Sequence, residues 1–84
     1  MSLKKQGDDS LYQEIKKLDE EIDKLTKEKE KIENEWKRLL MEEDVSKGKI
    51  YASELHELMQ KKLMLEVEID YRIKKKNRLM FDIT

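Results

Sequence analysis

Nine residues in the first half of the chain recur at alternating steps of four and three: Leu11, Ile15, Leu18, Ile22, Leu25, Lys29, Ile32, Trp36 and Leu39. An α-helix turns once every 3.6 residues, so this spacing lays all nine along one narrow stripe. A strand, with its period of two, would scatter them over both faces. In heptad terms Ile15, Ile22, Lys29 and Trp36 take the a positions, and Leu11, Leu18, Leu25, Ile32 and Leu39 take the d positions. A stripe this narrow is buried by another helix laid along it, not by a thick core.

The register does not continue. Carried past residue 42 it would put Glu43, Ser46, Ile50, Ser53, Glu57 and Gln60 in the seam, five of them polar. Gly48 suits a left-handed position just past a helix end, and Lys47 and Lys49 suit the negative end of the helix dipole. Ser53 then reads as the N-cap of a second helix, with Glu54 and Glu57 in its first turn. The expected organisation is a flexible tail over 1–10, a heptad helix over 11–44 capped by Asp9 or Ser10, a turn over 45–52 and a second amphipathic helix over 53–83. That second helix clusters Leu55, Leu58, Met59, Leu65, Ile69, Ile73, Met80 and Ile83 on one side, interrupted by Lys62, Glu66 and Lys76. Met64, Val67 and Tyr71 form a separate short stripe on the opposite side.

Charge says how the two helices pair. Residues 1–44 carry ten basic and fourteen acidic residues, whereas residues 45–84 carry nine basic and six acidic. All g positions of the first helix are acidic (Glu14, Glu21, Glu28, Glu35 and Glu42) and none of its e positions is basic. Pairing that helix with a copy of itself would oppose like charges at a cost of tenths of a kcal/mol per pair. Folding back about Gly48 places residue i opposite roughly residue 96 − i, which sets the acidic stretch 19–23 against Arg72, Lys74, Lys75, Lys76 and Arg78. The predicted fold is therefore all-α: an antiparallel coiled coil, made either as a hairpin or as a swapped antiparallel pair of unbroken helices. Residues 11–83 resemble the coiled-coil class in general and no particular family within it. The seam is predicted to comprise the nine residues of the first stripe with Leu55, Leu58, Leu65, Ile69 and Ile73. Two helices bury little surface at this size. The Met64/Val67/Tyr71 stripe offers a second interface, giving a homodimer and a four-helix bundle.

Composition narrows the function classes. Charged residues make up 46% of the chain, and there is no cysteine and no proline. A disulfide framework, a cysteine zinc site and a thiol nucleophile are thereby excluded. No apolar run approaches the roughly 18 residues of a membrane span, and the charged start does not read as a secretory signal. An intracellular protein, cytoplasmic or nuclear, is the expectation.

Candidate sites compete with simpler readings. Lys29 in the seam either specifies register or runs its stem along the apolar stripe to bring its head to Glu66 or Glu68. Trp36 is an interface anchor or a plain seam residue. His56 has no second ligand at helical spacing, since positions 53 and 60 are Ser and Gln. Residues 43–54 echo a calcium-binding loop in Gly48, Ile50 and Glu54, but Val45 and Lys47 stand where oxygen ligands belong. Arg72, Lys74, Lys75, Lys76 and Arg78 form the one patch suited to a polyanion, with Tyr71 beside it for stacking. The simpler reading is that they neutralise the acidic arm.

No enzyme signature and no cofactor motif is present. The expected function is a non-enzymatic oligomerisation or scaffold module, a fragment of a larger assembly protein, that joins polypeptides at fixed spacing and polarity. Its expected partner is itself, or else another coiled-coil protein, and neither nucleic acid nor membrane. The alternative is a helical adaptor that binds another protein or an anionic surface through Met64, Val67, Tyr71 and the basic run 72–78.

Overall fold

The computed structural model describes the backbone of residues 2–83 and the side chains of residues 9–82. Two long helices, α1 (Ser2–Glu42) and α2 (Ala52–Ile83), pack against each other as a hairpin within one chain. The result is a rod of 73 × 15 × 14 Å. Cross-hairpin ion pairs give the register: Asp19 with Lys76, Lys29 with Glu66 and Glu33 with Lys62, partners whose numbers add to 95.

Helix α1 starts well before the expected position. Ser2–Ser10 belongs to it, so neither Asp9 nor Ser10 caps it and the tail predicted over 1–10 is helical from Ser2 onward. Adding residues to an existing helix is far easier than starting one, and the only poor helix former in the segment, Gly7, costs about 1 kcal/mol.

The turn is built from backbone bonds and one aspartate. Asp44 caps a single 3-10 turn over Val45–Lys47, its Oδ1 accepting from the Ser46 amide at 3.1 Å and from the Ser46 hydroxyl at 2.6 Å. Asp44 and Lys49 exchange amide-to-carbonyl bonds of 2.8 and 2.9 Å, which closes the loop. Between them Gly48 sits at φ 71°, ψ 16°, the left-handed region that a side chain disfavours. Helix α2 begins at Ala52, one residue before Ser53, so Ser53 is not its cap. The Tyr51 carbonyl instead accepts from the Leu55 amide at 2.8 Å, while the Tyr51 amide donates to Glu43 Oε1 across the turn at 3.2 Å.

The seam is narrow. All nine members of the α1 stripe are buried or half-buried, but among the described residues only Leu18 and Leu58, 5% and 8% exposed, are buried, and neither is wholly enclosed. On the α2 side the half-buried and buried positions are Tyr51, just before the helix, and Leu55, Leu58, Lys62, Leu65, Ile69, Arg72, Lys76 and Leu79 within it, with Glu66 on the flank. These nine also step by four and three. Helix α2 thus follows the same heptad as α1, with basic residues at three of its seam places. Ile73, expected in the seam, is 40% exposed. The heptad takes Arg72 instead, one residue and about 100° away, and Leu79 joins the seam nearer the open end.

Candidate functional site

Three features of the surface are chemically distinctive: a ring of charges midway along the seam, a basic run at the open end, and an apolar stripe on the outside of α2.

The ring joins Lys29 and Lys62, both in the seam, to Glu33 and Glu66, both on its flank. Lys29 Nζ lies 3.9 Å from Glu33 and 3.7 Å from Glu66; Lys62 Nζ lies 3.9 Å and 4.0 Å from the same two carboxylates. Each lysine lays its methylene stem over the apolar seam and holds its head at the rim, where side-chain exposure is 31% for both. Positive and negative groups alternate around the ring, so a slip of one heptad in either helix would bring other residues to these places. Its worth in stability is modest, tenths of a kcal/mol to about 1 kcal/mol per partly exposed pair.

Most of the basic run is engaged inside the hairpin. Lys76 reaches Asp19 at 2.6 Å, Lys75 reaches Glu14 at 3.8 Å, and Lys74 reaches Asp70 at 3.0 Å. Arg72 occupies a seam position and bridges Glu68 at 2.6 Å and Glu21 at 3.3 Å. The Glu68 hydrogen bond pushes the Arg72 guanidinium above its already high range, the charges of Glu68 and Glu21 adding to it against a smaller loss from desolvation. Arg78 is the exception, making no ion pair among the described residues. A shallow furrow runs past Tyr71, Lys74, Lys75 and Arg78 on this surface.

The stripe breaks the polar exterior along the outside of α2, as Leu40, Met41, Val45 and Ile50 do around the turn. Met64, Val67 and Tyr71 are 70%, 68% and 61% exposed, and Leu63, absent from the sequence-based stripe, widens it at 56%. Val67 lies between the seam residues Leu65 and Ile69 in the chain, roughly 160–200° from each around the helix, and so faces directly away from α1. Leu63 was legible in the sequence: it stands one helical turn before Val67, on the same side. Elsewhere, Trp36 shares a groove with Ile32, Leu58 and Met59. His56 is exposed.

Among the described residues no group of three or more His, Cys, Asp or Glu side chains is placed to hold a metal ion. No helix among them is long and apolar enough to cross a membrane. Compared with protein-family models, with curated proteins and with solved structures, the chain matches none.

Proposed function

We propose that the chain is a non-enzymatic oligomerisation module: an antiparallel coiled-coil hairpin that pairs with a second copy of itself through the outer face of α2, as an assembly of four helices, and so joins polypeptides at fixed spacing and polarity within a larger assembly. The observation that carries this reading is the outer stripe of α2. Four large apolar side chains face solvent there, in a hairpin whose own seam buries only two leucines among the described residues. Covering a Leu, Val or Met side chain is worth about 1.5–3 kcal/mol. For a rod this thin, a partner along the stripe supplies stability that a lone hairpin lacks.

Internal pairing of Arg72, Lys74, Lys75 and Lys76 argues against a polyanion partner, because compensated charge projects little field. Sedimentation equilibrium over a range of concentrations tests the reading. The expected species has twice the 10.2 kDa mass of the chain. A fully helical monomer at all concentrations would refute self-association and leave the stripe to a different protein.

A further inference from the structure

We propose that the second copy docks on the outer face of α2 with its own α2 antiparallel, about a two-fold axis at the middle of that helix. The inference rests on the homodimer reading above and goes beyond it by naming the face, the symmetry and the polarity. Helix α2 spans Ala52–Ile83, so its midpoint falls between Val67 and Glu68, inside the exposed stripe. An axis there overlaps the two α2 helices along their whole length. It brings residue i beside roughly residue 135 − i of the partner, and so sets Met64 against Tyr71 on both sides of the axis.

Charge selects this polarity. Along the outer face the stripe is preceded by Glu57 and followed by Lys74 and Arg78. Antiparallel pairing puts Glu57 beside Arg78, and neither has an ion pair within its own chain among the described residues. Parallel pairing would set Glu57 on Glu57, Lys74 on Lys74 and Arg78 on Arg78, and of these only Lys74 has a partner of its own, Asp70 at 3.0 Å. Two like-charge approaches remain in the antiparallel form, and each is blunted from within. Glu68 meets its copy near the axis but is held by Arg72 at 2.6 Å. Lys61 comes alongside Lys74 and Lys75, which Asp70 and Glu14 hold at 3.0 and 3.8 Å.

Assembly stops at two. Positions of α1 that face away from the seam, Lys17, Lys24, Lys31 and Arg38 among them, are polar from Gln13 to Arg38, and only Met41 near the turn is apolar. Leu40, Met41, Val45 and Ile50 stay exposed around the turn, but they lie at one end of the rod, so a pair closed through α2 presents no second apolar stripe along the outward side of α1 on which a filament could grow.

The chain has no cysteine, so single introduced cysteines report the geometry directly. Disulfides need Cα atoms within about 7 Å. Val67→Cys, at the axis, is expected to give a covalent dimer under mild oxidation. Glu57→Cys and Arg78→Cys each stand about 31 Å from their own copies in the antiparallel pair. Neither is expected to cross-link alone, whereas mixing the two is expected to give the mixed disulfide. Helicity by circular dichroism checks that each variant is folded. Self-cross-linking of E57C and of R78C, each alone, would overturn the polarity. A dimer that persists in the Val67→Asp variant, together with no cross-link from V67C, would overturn the docking face and leave the homodimer reading standing. A wild-type monomer by sedimentation would remove both.

Discussion

Helix α1 admits one charge, Lys29, to its seam and exposes apolar side chains singly at Tyr12 and as the pair Leu40 and Met41 beside the turn, whereas α2 admits Lys62, Arg72 and Lys76 to the seam and leaves Leu63, Met64, Val67 and Tyr71 facing solvent as one stripe. Both helices follow the same four-three step, so the difference lies in what each stripe carries. Apolar faces set where helices touch, and long basic side chains can share such a face because their stems are apolar while their heads reach the rim. An amphipathic helix with one buried side has found its partner; a helix with apolar residues on two sides has found only one of two. That contrast separates the interface that makes the hairpin from the one proposed to join hairpins.

The strongest way to break the comparison is to truncate one apolar side chain on each face of α2. Leu58→Ala in the seam is expected to lose about 2–4 kcal/mol, as large-to-small changes at buried sites do. In a structure with two buried leucines among its described residues that loss should abolish cooperative thermal unfolding, followed by circular dichroism. Val67→Ala on the outer face is expected to leave the hairpin's helicity intact at concentrations below dimer formation. Equal loss from both variants would mean that the two faces do not differ.

Second in size is the charged end of the seam. Replacing Lys74, Lys75 and Lys76 together by Glu sets new carboxylates toward Glu14, Asp19 and Asp70, the partners of the wild-type lysines. A loss of about 1–3 kcal/mol is expected, summed from pairs each worth up to about 1 kcal/mol. Urea titration at low salt measures it. The deficit should shrink at 1 M salt, where the Debye length falls to about 3 Å. A loss that does not respond to salt would assign the effect to packing of the lysine stems.

A smaller effect is expected where the comparison pivots. Gly48→Ala meets no atom within 4 Å of the new Cβ, so its cost is the left-handed backbone alone, about 1–2 kcal/mol. Denaturation midpoints at constant slope report it. Smallest of all, Lys29→Met with Lys62→Met is expected to change stability by less than about 1 kcal/mol while loosening the register, because methionines do not require the alternating charge ring. Cross-hairpin cysteine pairs displaced by one heptad are then expected to form disulfides that the wild-type background does not allow.

The seam of α1 is legible residue by residue in the sequence, because strict four-three spacing over thirty positions fits a helix seam and no strand, whereas its start at Ser2 is not, because residues before Leu11 carry no heptad pattern. Helix α2 is harder to read because it has two apolar sides. Apolar residues alone then average to a period nearer 3.6 than 3.5, which favours Ile73 over Leu79. Allowing Lys62, Arg72 and Lys76 as seam members, as Lys29 is allowed in α1, restores the heptad and shifts the choice from 73 to 72 and 79. The turn at Gly48 is visible from glycine and the failed register. The helix boundary at Ala52 is not, because the Glu43 side chain that holds the Tyr51 amide comes from across the turn. The outer stripe is readable as apolar residues on the wrong side of a helix.

The most direct test of the hairpin is the distance between spin labels at positions 20 and 74 of the same molecule, both exposed. Doubly labelled chain is diluted into excess unlabelled chain, so that only distances within one molecule survive. With helix axes 8–10 Å apart and both labels pointing outward, about 20–25 Å is expected, unchanged by dilution. A short distance that vanishes on dilution, or one of about 80 Å as a single unbroken helix would give, would contradict the fold on which both interfaces depend.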